Sequence, residues 1–263
     1  MTSLSYAAHD SAIMLRRNLR HMQRYPSMTL MLIALPVVFL LLFVYVFGAT
    51  LGAGLGHGSG GRAAYADFVT PGIILLTMGG AATAAAVSVA TDMTEGIIAR
   101  FRTMPISRAC VLTGHVLGSV IQMVLAATVL TGIAVATGFR PTARPLAFLA
   151  AAGIVVLFAL ALSWLSVALG LLAKSAESAS NAPMPLLVLP FLGSGFVTVA
   201  SMPVGLRWFA EYQPFTPVIS TVRGLLVGGA IGDNAVLALA WGVAIALTGY
   251  LWAKRLYNRD PVS

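Results

Sequence analysis

The chain has 263 residues, of which 59% are hydrophobic and 9% charged, with a mean hydropathy of +0.91 and a formal net charge of +8. That balance lies far outside a soluble globular domain. It also argues against a nucleic-acid-binding module, because the basic residues flank long apolar runs instead of forming a folded basic domain. The single cysteine, Cys110, excludes an intrachain disulfide and has no metal-ligand spacing around it.

In chain order, Leu4, Ala8, Ala12, Leu15, Leu19 and Met22 recur at helical steps and share one face, with Asp10, Arg17, Arg20 and Arg24 opposite. Residues 1–25 therefore read as an amphipathic interfacial helix whose Arg16, Arg17, Arg20 and Arg24 suit an anionic lipid surface. Tyr25-Pro26 ends it. Whether this helix only anchors the chain or also touches a partner through Ile13 stays open at this level. The stretch lacks the compact apolar region and small-residue cleavage site of a signal peptide.

A bilayer core of about 30 Å needs about 20 apolar residues per helix, and six windows supply them: 28–47, 68–91, 109–137, 146–172, 181–200 and 235–253. With six helices both termini share a side. Eleven of the 16 Lys and Arg residues then lie on the terminal side and five on the other. The excess places the termini in the cytoplasm. The expected fold is thus an all-α integral membrane protein, one transmembrane domain over 1–263: interfacial helix 1–25, spans one to five over 26–200, a re-entrant external segment over 201–232, and the last span and tail over 233–263.

Between the second and third windows lies Asp92-Met-Thr-Glu-Gly-Ile-Ile-Ala-Arg-Phe-Arg-Thr-Met-Pro-Ile-Ser-Arg108, a charged island in an apolar chain. Asp92 can cap a helix with Glu95 three residues on, and Pro105 stops it. About three turns would set Glu95, Ala99 and Arg102 on one face and Ile97, Phe101 and Met104 on another. Such an element is either a plain connector that enforces topology or a handle for a soluble partner.

Within the third window His115, Ser119 and Gln122 form a polar stripe that can line a path or bond to a neighbouring helix. Small residues from Gly79 to Ala86 favour close helix packing. Pro183, Pro185, Pro190, Gly193 and Gly195 imply a broken or kinked fifth span. Residues 201–230 are too apolar for free solvent and suit two short helices broken at Gln213-Pro214. There Arg207 can pair with Glu211, or Arg223 can take Glu211 across the break. Together with Pro214, Phe215 and Pro217, these residues make a candidate external gate.

No Ser/His/Asp set or metal cluster is visible, and His9, His21, His57 and His115 are scattered. The glycine-rich stretch 52–61 follows a span and opens no βαβ unit, and G-x-x-x-x-G-K-[ST] is absent. The span centres carry no charged side chain that could couple transport to an ion gradient.

Asp92-x-x-Glu95-Gly96 followed by Arg100-x-Arg102-Thr103-x-Pro105-x-Ser107-Arg108 resembles the signature loop of ABC-2 type transporter permeases. Met202-Pro203, Arg207-Trp208, Gln213-Pro214-Phe215-Thr216-Pro217 and Arg223-Gly224-Leu225-Leu226 resemble the same family's segment before the last span, with Gln213 where the family often has Asn. The layout is similar over essentially the whole chain, most of all to permeases of the daunorubicin-resistance kind. The resemblance implies a type V exporter-like permease subunit, not itself an enzyme and holding no cofactor, that moves an amphipathic drug, antibiotic or lipid-like compound out across the bacterial plasma membrane. It further implies two copies of a cytoplasmic ABC ATPase carrying ATP and Mg, a second copy of the chain, and coupling through Asp92, Glu95, Gly96, Arg100, Phe101, Arg102 and Pro105. Export of a lipid-linked saccharide, or a non-transporting membrane scaffold or enzyme, are the alternatives.

Overall fold

The computed structural model describes residues 26–53, 61–96 and 108–258, together with Ile13, Leu15, Arg16, Arg20 and Arg24 of the N-terminal segment, all five of them helical. The described residues are all-helical in their regular structure. Helix α1 (Pro26–Leu41) passes through a π-helical turn, Leu42–Phe47, into α2 (Gly48–Ala53). Then come α3 (Arg62–Thr94), α4 (Arg108–Thr137) and α5 (Pro145–Leu172). Two short helices follow, α6 (Ala176–Asn181) and α7 (Met184–Val188), and a 3-10 turn at Val199–Ser201. Helices α8 (Val204–Tyr212), α9 (Phe215–Val227) and α10 (Asn234–Asn258) complete the order.

Helix α3 is the axis of the fold. Every residue from Val69 to Gly79 is buried, so this stretch is enclosed on all sides, as expected of a helix apolar all round. The helices around it keep one apolar face outward: Leu30, Met31 and Leu35 on α1, Leu117, Ile121 and Leu125 on α4, Leu146 and Leu149 on α5, and Leu247 and Leu251 on α10 are exposed. In water such faces would be untenable over this length; against lipid tails they cost nothing.

Because lipid removes the hydrophobic drive between helices, close backbone approach has to hold the bundle, and glycines mark where it occurs. A Cβ on Gly170 of α5 would lie 2.6 Å from the Ala86 carbonyl oxygen of α3, and one on Gly249 of α10 would lie 2.8 Å from the Leu165 nitrogen of α5. Next to the latter contact the Trp164 and Tyr250 rings meet edge to face at 4.9 Å. The small-residue run on α3 packs as its composition suggests, with Gly79 against the Leu186 carbonyl and Gly80 against the Leu32 and Leu187 side chains.

Among the described residues five helices are long and apolar enough to cross a membrane: Leu30–Ala53, Arg62–Thr94, Val111–Thr137, Pro145–Leu172 and Asn234–Asn258. The window at 181–200, expected as a broken or kinked span, is broken: it is not a continuous helix. Ser175 and Ser178 cap the start of α6 reciprocally, with Glu177 in the first turn where the helix dipole favours it. Pro183 and Pro185 then confine α7 to five residues, and from Leu189 to Phe196 the chain runs through successive turns. Pro190 has no N–H to continue a helix, and Gly193 and Gly195 make close contacts that a side chain would block.

Two apolar clusters result. The larger runs from Leu40 and Val44 through α3 to Phe139, Phe158, Phe215 and Ile219. The smaller joins Val89, Leu112, Val116, Val167 and Tyr257 near the C-terminal ends of α3, α5 and α10 and the N-terminal part of α4.

Candidate functional site

Polar side chains gather at two places on either side of this apolar bundle. The first is a junction where the broken segment 189–196 meets α9 and the first turns of α3. Gln213 stands just before Pro214, the N-cap of α9, and is buried. Its Oε1 accepts from the Phe215 N–H at 3.0 Å, satisfying one of the donors a helix start leaves open. Its Nε2 donates to Thr216 Oγ1 at 2.9 Å and to the Leu189 carbonyl at 3.2 Å. One amide therefore caps α9 and holds the broken segment to it.

Around that amide, the Ser194 N–H donates to Thr216 Oγ1 at 3.2 Å, and the Ser194 and Ser220 hydroxyls meet at 3.2 Å. Gly193 is tight against Gln213 Nε2 and Thr216 Oγ1, so no side chain fits there. Arg223, two turns further along α9, donates from Nε to the Phe68 carbonyl of α3 at 3.0 Å and from Nη2 to the Ser194 carbonyl. Its guanidinium carbon lies 3.8 Å from the centre of the Phe68 ring, a cation–π contact strengthened where water is scarce. The Tyr65 hydroxyl donates to the Phe196 carbonyl at 3.0 Å. On the side facing α1, the Phe191 and Phe196 rings stack at 4.4 Å, and Phe43 of the π-helical turn meets Phe196 at 4.7 Å. A π-turn is a common local departure at functional positions.

These bonds correct the ion pairs expected in this segment. The Arg207 guanidinium donates to the Ala200 carbonyl, and Arg223 turns to α3 and the broken segment, while Glu211 is exposed on α8. Backbone carbonyls released by an irregular chain attract the arginines more than a carboxylate that can remain hydrated. Pro214 and Pro217 flank the start of α9, and Phe215 is fully buried with its ring 5.0 Å from that of Phe158. Exposed Trp208 and Tyr212 line α8, and the Trp241 indole N–H of α10 donates to the Tyr212 carbonyl at 3.0 Å.

The same end of the bundle collects further links. Asp67 Oδ1 accepts from the Arg140 N–H at 2.8 Å, and Thr142 bonds through its N–H to the Leu226 carbonyl and through its hydroxyl to the Val227 carbonyl. The loop between α4 and α5 is thereby fixed to α3 and to the end of α9.

The second polar place is at the opposite end of α3. Asp92 was expected to begin a separate short helix; instead it lies in the last turn of α3, which runs on to Thr94. Nothing before Gly96 stops the helix, and Gly96 at φ 71° does so in the manner of a C-terminal glycine. Asp92 is buried, and its Oδ2 lies 3.1 Å from His115 Nε2 on α4. Glu95 is exposed at the helix end. Arg100, Phe101, Arg102 and Pro105 lie outside the described residues, as does Arg17, whereas Arg16, Arg20 and Arg24 are exposed and helical. In the stripe on α4, His115 and Ser119 are buried and Gln122 is half-buried. Among the described residues no group of three or more His, Cys, Asp or Glu side chains could hold a metal ion.

Residues 11–227 match the family described as ABC-2 type transporter. The chain belongs to that family. The matched range runs through the polar end of α3, the 92–108 loop and the junction around Gln213 and Arg223, and ends at Val227, the last residue of α9. Among similar proteins is the daunorubicin resistance ABC transporter permease protein DrrB1 of Streptomyces coeruleorubidus. It is 27% identical over 195 residues, which are 74% of this chain and 69% of the relative. A probable doxorubicin resistance ABC transporter permease protein, DrrC, of Mycobacterium tuberculosis is 24% identical over 176 residues, 66% of this chain and 64% of the relative.

Sequence reasoning reached Gln213, Arg223, Asp92 and His115 but missed Phe68, Ser194 and Thr216 as partners of Gln213 and Arg223, and Tyr65 as the partner of Phe196. A usable signal existed for Ser194 and Thr216: polar residues beside prolines and glycines in an apolar segment face freed backbone groups.

Proposed function

We propose that this multi-pass membrane protein is the permease subunit of an ATP-driven exporter that moves an amphipathic drug, antibiotic or lipid-like compound out across the bacterial plasma membrane. The observation that carries the reading is membership of the ABC-2 family over most of the chain, joined to relatives that are named as drug-resistance permeases. ATP and Mg bind on a separate ABC ATPase present in two copies, and a second copy of this chain encloses the path. The 92–108 loop and the N-terminal helix face the ATPase, and both termini are cytoplasmic.

In this reading the whole chain is one transmembrane domain of six crossings, the fifth made by the broken segment. Its support is the packing along α3: Leu186 lies against Gly79, and Phe196 bonds to Tyr65, fourteen residues further along the helix. At 1.5 Å per residue that is about 21 Å, most of an apolar bilayer core, before α6 is added. Helices α8 and α9 then dip into the outer leaflet and close the path from outside. A crossing made of turns held by single hydrogen bonds can rearrange at lower cost than an α-helix, which suits a gate.

The deciding experiment co-expresses the chain with an ABC ATPase that carries a P-loop and co-purifies with it, and follows ATP-dependent accumulation of an anthracycline in inverted membrane vesicles. Accumulation that requires both proteins supports the reading. Stable ATPase binding with no accumulation of anthracyclines, but transfer of a lipid-linked saccharide, would move the substrate to the alternative class. Absence of any association with the ATPase would sink the exporter reading.

A further inference from the structure

The bond between Asp92 and His115 joins the two helices that lead into and out of the 92–108 loop. We propose that this pair is a positioning strut that makes the ends of α3 and α4 move as one body, so that displacement of the loop tilts both helices together. The inference rests on the proposed exporter reading, in which the loop receives force from the ATPase.

Three observations carry it. Asp92 sits in the last turn of α3, where the helix dipole presents its negative end and a carboxylate is disfavoured. It is also buried, at 8% exposure, which disfavours a charge further. A carboxylate in such a place needs a donor across the interface. His115, at 7% exposure, supplies one at 3.1 Å. Second, the bond lies near the loop but not in it: α3 ends two residues beyond Asp92, and α4 begins at Arg108, seven residues before His115. A link there sets the distance between the legs of the loop.

Third, the pair borders the smaller apolar cluster, with Val89 one turn from Asp92 and Leu112 and Val116 on either side of His115. That cluster also holds Val167 of α5 and Tyr257 of α10. Apolar contacts alone permit helices to slide or rotate against each other, because their energy depends weakly on direction. A hydrogen bond between carboxylate and imidazole, set by distance and direction, removes that freedom. The expected role of Asp92 thus changes from an outward contact with the ATPase to an inward one that carries the motion.

The test uses the full chain in lipid nanodiscs, with Cys110→Ser and spin labels on Met93→Cys and Leu117→Cys, two exposed positions flanking the pair. The parent should give a narrow distance distribution. His115→Ala and Asp92→Asn should each broaden it, and the swap Asp92→His/His115→Asp should narrow it again. With the ATPase present, substrate moved per ATP hydrolysed should fall about 2- to 30-fold in the single variants, the range that mutations along a coupling path produce. The swap should recover it, which loss of fold in the single variants could not mimic.

Superimposable distributions in His115→Ala and the parent would overturn the strut. So would an unchanged transport-to-hydrolysis ratio in a variant whose distances had broadened. Label distances that respond as described, in a wild-type complex that exports nothing, would leave the strut standing and remove the exporter reading on which its purpose rests.

Discussion

Arg223 lies over the ring of Phe68, 3.8 Å from its centre, and also donates to the carbonyl oxygen of that residue at 3.0 Å. One side chain of α9 thus grips the backbone and the side chain of a single α3 residue, while its second nitrogen holds Ser194 of the broken segment. A guanidinium suits this task because its planar fork aims several donors at once and its weakly hydrated face stacks on an aromatic ring. It brings together α9, α3 and the broken segment.

Replacing Arg223 tests that geometry. Arg223→Ala withdraws both bonds and should lower stability by about 1–3 kcal/mol, the cost of stranding buried acceptors. A thermal-shift measurement on the detergent-solubilised protein would show it. Arg223→Lys keeps the charge but offers a compact ammonium that cannot reproduce the fork and the stacking, so it should recover only part of the loss. Equal melting temperatures for Lys and Arg would show that charge alone matters here.

Gly72→Ala should separate α3 from the broken segment. A Cβ there would lie 2.6 Å from Gly195 Cα, and the obstruction is backbone with no flexible end to yield. Overpacking of this kind costs about 1–3 kcal/mol. The control is Gly153→Ala on α5, where no heavy atom lies within 4 Å of the new methyl. Its helix-propensity gain of up to about 1 kcal/mol should leave stability unchanged or improved.

The helices around α3 were legible because lipid demands long apolar runs, and such runs are visible without knowing any contact. The break between Tyr212 and Phe215 was legible for a different reason: Gln213-Pro214 carries its own local chemistry, and both neighbouring helices stop there. The partners were not legible. Tyr65 bonds to Phe196, 131 positions away, and Arg223 to Phe68, 155 positions away, and each pairing depends on how helices rotate about their axes. The same holds for Asp92 and His115. Glu95, three residues after Asp92, looked like part of a capping pattern, and only the continuation of α3 to Thr94 turned the carboxylate toward α4.

Gln213 offers a graded test. Its amide accepts from the Phe215 N–H and donates to Thr216 and Leu189. Gln213→Asn is one methylene shorter and should keep the cap on α9, since Asn serves well before a helix, yet lose the reach to the Leu189 carbonyl. Gln213→Ala should lose both. Melting temperatures should fall in the order Gln, Asn, Ala, with the full loss worth about 1–3 kcal/mol. Cysteine accessibility at Leu192, half-buried in the broken segment, should rise in Asn as much as in Ala, because both variants release that segment.

Glu95 separates stability from coupling. It closes α3 with its own N–H bonded to the Thr91 carbonyl, and Gly96 at φ 71° ends the helix, so its backbone does the structural work and its carboxylate is exposed. A negative side chain at the C-terminal end of a helix opposes the dipole by about 0.3–1 kcal/mol. Glu95→Ala should therefore leave folding and membrane insertion intact or slightly improved. If the carboxylate serves the ATPase, the same variant should lose substrate-stimulated ATP hydrolysis and export in proteoliposomes, and Glu95→Gln should lose most of both. Full activity in Glu95→Ala would show that the charge only marks topology, as a plain cytoplasmic connector requires.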